Sequence, residues 1–353
     1  MCVGNQSRWI VLVSFLGIAG SAFAQGTMAR PTPQTPTRDS SGNQRSDNQT
    51  AASENAARGQ VMMADGSVPA EMVQFYADCG AVHKLIAVAD SKGRFGFNPD
   101  VVSGMSNANG CVLRASLEGY RSQNKPLADV NSSSKLGKIT LQPIASDTNG
   151  LTTGTDAQAS KNAKKAYDKG LDAAAKQDWS GAMASFQKAI SAYADYSSAW
   201  LSLGVLQQSG GDVGAAEKSF TESAHADGKF ALPLIRLAAL NAARGDWQQA
   251  VDYSQKAIDL NPAAFPHAYE LNAMGNMNLQ KMDAAEKSAT EGLKVDAEHQ
   301  YPELEYALGI VLKHKHEAEG AKKHLQAYID ESPNGPNVAT AKSELAELGT
   351  APQ

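Results

Sequence analysis

Three histidines near the C-terminal end, His314, His316 and His324, are the side chains of this sequence most suited to binding a metal. Neighbours two apart on a helix do not share a face, so His314 and His316 would point away from each other. Both lie beside lysines at a predicted turn, which favours a solvated turn over a metal site. His83 is isolated in its part of the chain, and a single imidazole does not make a metal site.

The acidic and nucleophilic residues form no recognisable catalytic pattern. Glu303 and Glu305 are expected to be solvated acids at the rim of a surface. The sequence contains no H-E-x-x-H, G-x-S-x-G, GxxxxGK[ST] or GxGxxG motif. Because nucleophile, base and orienting group are not found together, the sequence predicts no enzyme, no cofactor and no metal.

The segment 1–24 has the pattern of a secretory signal peptide. It carries one cation, Arg8, then an apolar run of about eleven residues, and an Ala-x-Ala sequence that ends at Ala24. A membrane-spanning helix needs roughly 20 apolar residues, so an uncleaved anchor is the weaker alternative. We therefore expect a bacterial protein that is exported to the periplasm or the extracellular space, with no transmembrane anchor after cleavage.

Cleavage would leave two cysteines, Cys79 and Cys111. In an exported protein two cysteines most simply form one disulfide bond, and neither has an activating base nearby in sequence. Residues 25–57 follow the leader and contain no Ile, Leu, Val, Phe, Trp, Tyr or Cys. Such a segment buries too little apolar surface to fold, so it is predicted to be a disordered linker.

The length of 353 residues suggests about two domains, and the net charge of −5 disfavours nucleic acid as a partner. Residues 58–145 show short alternating apolar stretches separated by turns, the pattern of antiparallel strands in a small sandwich. The Asp90-Ser91-Lys92-Gly93-Arg94-Phe95 hairpin and the Gly119-Tyr120 corner resemble carboxypeptidase regulatory-like domains. This resemblance implies a transthyretin-like β-sandwich that is an accessory, non-catalytic module, binding either another protein or a glycan.

The rest of the chain repeats itself. Gly170 recurs as Gly204, and Phe186 recurs as Phe220 after the same interval. Two helices in a period of about 34 residues is the pattern of tetratricopeptide repeats, which this region resembles. After a second linker at 146–159, the resemblance implies an all-α superhelix at 160–349, with about five helix pairs and a closing C-terminal helix.

In such an array the first helices of the pairs line a concave groove. The predicted inward positions are largely apolar, which is typical of an interface, although part of the stripe could instead be core between helices. Arg236 could meet an acidic group of a partner, with a solvated arginine as the alternative. The predicted groove residues are Tyr167, Leu171, Leu201, Val205, Ile235, Arg236, Met274, Met277, Tyr306 and Ile310.

The leading hypothesis is an exported, non-enzymatic scaffold whose groove binds a protein or peptide segment. The first alternative is a cell-envelope module in which the sandwich binds a glycan and the repeats are the assembly surface. Self-association, with the groove receiving a second copy, is a further alternative.

Overall fold

The computed structural model of the chain describes residues 56–80, 82–103, 110–128 and 130–350. The predicted leader and nearly all of the predicted disordered linker, residues 1–55, lie outside the described residues. Among the residues that are described, no helix is both long enough and apolar enough to cross a membrane.

The N-terminal domain is a sandwich of two four-stranded sheets, with strand orders β4-β1-β8-β6 and β3-β2-β5-β7. A short helix, α1, lies between β4 and β5. The elements are β1 (Ala57–Met63), β2 (Gln74–Cys79), β3 (Val82–Val88), β4 (Arg94–Phe97), α1 (Asp100–Ser103), β5 (Val112–Ser116), β6 (Tyr120–Ser122), β7 (Lys125–Pro126) and β8 (Lys135–Pro143).

Alternating apolar residues of both sheets meet in one core, which confirms the predicted sandwich. The rings of Phe75 and Phe95 stack with their centroids 3.9 Å apart. Cys79 and Cys111 form the predicted disulfide bond. The strand pairs are antiparallel except β1 and β8, which run parallel. The long stretch of chain between β1 and β8, which includes the whole second sheet, provides the crossover that a parallel pair needs.

The C-terminal domain contains the predicted five helix pairs and closing helix. Each pair is followed by the next in a continuous stack. The helices are α2 (Lys161–Ala175), α3 (Trp179–Ala192), α4 (Ser197–Ser209), α5 (Val213–Ala226), α6 (Ala231–Arg244), α7 (Trp247–Leu260), α8 (Pro266–Asn278), α9 (Met282–Val295), α10 (Glu303–His314), α11 (Ala318–Glu331) and α12 (Val338–Thr350).

The helix starts explain part of the repeat. Asp178, Asp212 and Asp246 recur with the period of the glycines, and each one precedes the second helix of a pair. Their carboxylates accept hydrogen bonds from the backbone N–H three residues further on, at distances of 2.9, 3.0 and 3.4 Å. An aspartate at this position satisfies an N–H group that the helix itself leaves unpaired. These caps fix where the turn ends in the first three helix pairs.

The repeated glycine and phenylalanine set how closely the two helices of a pair approach. A Cβ atom at Gly204 would lie 2.6 Å from a ring carbon of the fully buried Phe220. Gly170 packs against the ring of Phe186 in the same way. In the fifth pair, Gly309 packs against Leu325 instead of a phenylalanine ring. The glycine is therefore needed for close packing and not for an unusual backbone conformation.

We expect Gly204→Ala to lower the free energy of unfolding by up to about 2 kcal/mol. Overpacking a tight core costs about 1 to 3 kcal/mol, and the better helix propensity of alanine offsets only about 1. Gly349→Ala is the matched control, because Gly349 also lies in a helix but its Cβ would meet nothing within 4 Å. Urea unfolding measures both. Equal stability of the two variants would contradict this account of the repeat.

Residues 146–159, the predicted second linker, are held against the helical array. The N–H of Ala231 donates to the carbonyl of Gly150 at 3.0 Å, and Nδ2 of Asn261 donates to the carbonyl of Asp147 at 2.7 Å. Leu151 is fully buried. The segment therefore fixes the position at which the sandwich connects to the helical array.

Candidate protein-binding surface

The predicted groove residues lie on the first helices of the pairs, but they do not form an open apolar stripe. Arg236 and Ile310 are half-buried, whereas the other eight are buried. Ile235 and Met274, for example, are 0% and 1% exposed. Part of this burial comes from packing between helices, and part comes from the sandwich, which lies on the concave face.

At the first helix pair, main-chain groups of the sandwich form hydrogen bonds with side chains of the array. The hydroxyl of Tyr167 donates to the carbonyl of Ala70 at 3.0 Å. The N–H of Ser91 donates to Oδ1 of Asp172 at 3.0 Å. Both array residues project from α2, so this helix recognises the main chain of two sandwich loops.

Further along, the two domains fit closely around a small cavity. Met72 and Leu117 of the sandwich face Leu201 and Leu232 of the array across it. The cavity volume is about 30 Å³, which leaves room for only about one or two water molecules. Four of the residues that line it from the array, Leu201, Ser202, Val205 and Leu232, are themselves buried.

At the fourth helix pair a buried charged contact joins the domains. Oε1 of Glu118 lies 2.9 Å from Nδ1 of His267, and the two side chains are only 10% and 9% exposed. The ring of Tyr301 stacks on His267 with a centroid distance of 5.3 Å. Burial alone would raise the pKa of Glu118, but His267, Arg236 and Arg114 together hold it below its usual value. This carboxylate is therefore kept charged inside the interface.

The turn that carries Glu118 reaches the array because the next residue is glycine. Gly119 has a φ of +79°, and a Cβ there would lie 1.9 Å from Leu151 and 3.0 Å from the ring of Phe265. No other residue type fits this approach without displacing a neighbour. The sequence predicts that Gly119-Tyr120 is a corner of the sandwich. The structure shows that Gly119 also lies close to the helical array.

Glu71 is a second acid at the interface, and its pKa is raised whereas that of Glu118 is lowered. Its side chain lines the interdomain cavity, and neither carboxylate oxygen accepts a hydrogen bond from another described residue. Burial raises the pKa of Glu71 to about 7, and the nearby charge of Asp156 adds to the effect. Docking is therefore favoured when Glu71 is protonated.

The fold separates His314 and His316 from the other singled-out residues, whereas it brings His324 to Glu305. His314 and His316 are exposed and, among the described residues, belong to no group of metal-ligating side chains. The prediction that Glu303 and Glu305 are solvated is wrong, because they are 6% and 8% exposed. Glu305 meets the imidazole of His324, and Glu303 accepts a hydrogen bond from the hydroxyl of Tyr328 at 3.4 Å.

His83 is also partnered within the sandwich. Its Nδ1 contacts the carboxylate of Asp78, which accepts a hydrogen bond from Arg114, and its ring stacks on Tyr76 at 4.1 Å. These contacts account for the residue without a ligand.

The sequence placed His267 on the inward face of the array but did not predict the other residues that join the domains: Glu71, Glu118 and Asp172. One signal was available for Glu118, which stands between Leu117 and a glycine that the turn needs. A buried acid is otherwise indistinguishable from a solvated one in a single sequence.

No family model matches the chain, and no curated protein matches it. Among solved structures, YrrB, described as a TPR protein with an unusual peptide-binding site, is 19% identical. The match covers 50% of this chain and 90% of YrrB, with a TM-score of 0.44. The MamA protein is 20% identical over 52% of this chain and 97% of its own, with a TM-score of 0.43. A tetratricopeptide repeat protein from Parabacteroides merdae is 19% identical over 54% and 73%, with a TM-score of 0.44.

Proposed function

We propose that this protein is an exported, non-enzymatic scaffold whose concave face binds a protein segment, and that its own sandwich is the resident occupant which a partner displaces. The observation that carries the proposal is the contact between α2 and the main chain of the sandwich. Tyr167 and Asp172 bind a carbonyl and an N–H group, respectively.

Main-chain groups are common to all polypeptides, so the same side chains are suited to a partner segment. The neighbouring apolar residues Leu201 and Leu232 would bury the side chains of that segment, as they now bury Met72 and Leu117. His267 and Arg236 would favour an acidic residue at the place that Glu118 now occupies. A segment with an acidic residue beside apolar ones is the partner chemistry that this surface favours.

The composition of the interface supports reversible docking. It contains the ionisable side chains of Glu71, Glu118 and His267 beside the apolar ones. Interfaces between domains of one chain resemble transient protein interfaces, and relative motion of the domains is the usual expectation. Displacement of the sandwich by a partner needs such an interface.

Export is the second part of the proposal. The leader at 1–24 supports it, and so does the Cys79–Cys111 disulfide bond, since disulfides persist in oxidising compartments. We place the mature protein in the periplasm or the extracellular space. Glycan binding by the sandwich and self-association stay predictions, because no contact among the described residues bears on them.

A capture experiment tests the scaffold. Glu118→Ala changes only the sandwich, so it leaves the groove intact while removing the buried acid that holds the sandwich in place. In cells that produce the full chain, we expect crosslinked capture of the partner to rise at least about tenfold, since each 1.4 kcal/mol lost from docking is worth about a factor of ten. Mass spectrometry of the same sample also identifies the N-terminus of this chain, which we expect at Gln25.

Glu217→Ala is the matched control, because Glu217 pairs with Arg244 on the surface of the array. Adding Asp172→Ala to the Glu118→Ala variant should lower capture again if the partner uses the groove. Equal capture by all variants would place the partner elsewhere. Retention of residues 1–24 in the accumulated protein would contradict cleavage and export.

A further inference from the structure

Three side chains from the last two helix pairs converge near the surface. His299 lies in the connection between α9 and α10, Glu305 in the first turn of α10, and Glu331 at the end of α11. One ligand atom from each, the imidazole nitrogen and two carboxylate oxygens, lies within 4.8 Å of the others. Nδ1 of His299 is 2.8 Å from Oε1 of Glu331. The three residues come from three separate segments, so the fold brings them together.

We propose that His299, Glu305 and Glu331 form a binding site for a divalent transition-metal ion of the zinc class. Zinc takes imidazole and carboxylate ligands and needs only three from the protein when water fills the fourth position. His299 is 57% exposed at its side chain, which leaves one side of the site open to solvent. An imidazole ligand disfavours calcium and magnesium, which prefer oxygen ligands only.

His324 contacts one of the proposed ligands, Glu305, and holds it in position. Its Nδ1 lies 2.5 Å from Oε2 of Glu305, and the Glu305 side chain is only 11% exposed. A hydrogen-bonded neighbour that orients a ligating carboxylate is a usual feature of protein metal sites. His324 is therefore assigned as a positioning residue, although the sequence had grouped it with His314 and His316.

The charges at the site also favour a cation. The carboxylates of Glu331, Glu305 and Asp296 lie near enough to interact electrostatically, and His299 is the imidazole beside them. A divalent ion would compensate the negative charge of these acids. It would also link the α9–α10 connection to α10 and α11, and so fix the fifth helix pair against the fourth.

The test uses the full mature chain without a histidine tag, after treatment with a chelator. Titration calorimetry with zinc chloride is expected to give one zinc ion per chain, and His299→Ala and Glu331→Gln should each weaken binding at least tenfold. His324→Ala should weaken it about tenfold or more through Glu305. His225→Ala, an exposed histidine on α5, is the matched control and should leave binding unchanged.

Two further readouts keep the result interpretable. Thermal unfolding in chelator should be similar for wild type and His299→Ala, and zinc should raise the midpoint of wild type only. Cobalt bound at the site should show the visible absorption of a four-coordinate ion. No binding by wild type at about 0.1 mM zinc, or equal binding by His299→Ala and Glu331→Gln, would overturn the assignment.

Discussion

Replacing Glu118 with alanine is expected to weaken docking of the sandwich on the helical array by about 1.5 to 3 kcal/mol. This is the usual contribution of a hydrogen bond to a charged group, and the change leaves the imidazole of His267 buried without its partner. The change also removes a carboxylate that Arg236 and Arg114 stabilise. Hydrogen exchange at the N–H of Ser91, which donates to Asp172, reports docking directly and should speed up by at least about tenfold.

A double-mutant cycle shows whether the effect runs through His267. If the two side chains act on each other, the double variant Glu118→Ala with His267→Ala should cost clearly less than the sum of the single variants. Glu217→Ala should cost less than about 1 kcal/mol, since its pairing with Arg244 is solvent-exposed. Additive effects of Glu118→Ala and His267→Ala would show that this pair does not hold the domains together.

The second large effect is a dependence of stability on pH that arises from Glu71. Its pKa is about 7 in the folded chain against a usual value of 4.5, so folding favours its protonated form. The stabilisation is complete below pH 4.5 and is lost as the pH rises to 7. At about 1.36 kcal/mol for each pKa unit, the loss is about 3 kcal/mol. Urea unfolding across this range measures it.

Other ionisable groups also contribute to the dependence of stability on pH. Asp156, whose pKa burial raises to about 6, changes stability in the same direction as Glu71. Glu118 acts in the opposite direction, because its pKa is lowered and its contribution disappears in acid. Glu270 and Asp296, whose pKa values burial also raises, add to the slope as Asp156 does. Glu71→Gln should therefore remove only the share of the slope between pH 4.5 and 7 that Glu71 supplies, while Glu217→Gln should leave the slope unchanged. An unchanged slope in Glu71→Gln would contradict the assignment.

The helical array could be predicted from the sequence because its contacts are local and repeated. Gly204 and Phe220 belong to one helix pair, and Gly170 and Phe186 repeat their spacing in the preceding pair. Asp212 and Asp246 are recognisable in the sequence as turn residues, and the structure adds that each caps the helix that follows. The sandwich was predictable for a similar reason, since alternation and tight turns determine which residues face its core.

The contact between the domains could not be predicted in this way. Tyr167 meets Ala70 and Glu118 meets His267 across separations of 97 and 149 residues, and neither pair follows a period. A buried apolar groove and an open one have the same sequence pattern, so Leu201 and Ile235 were assigned to a free surface. The convergence of His299, Glu305 and Glu331 was not predicted, because Glu305 and Glu331 are as ordinary in sequence as any solvated glutamate.

The most direct test asks whether the sandwich occupies the concave face in solution. In the full mature chain, Ser91→Cys and Asp172→Cys place thiols at two residues now joined by a hydrogen bond, and a short thiol-reactive crosslinker reports their proximity. We expect near-complete crosslinking, which the Glu118→Ala change should reduce strongly. The control pair Ser91→Cys and Gln255→Cys, with Gln255 exposed on α7, should crosslink poorly. Equal crosslinking of the two pairs would contradict docking of the sandwich in the groove.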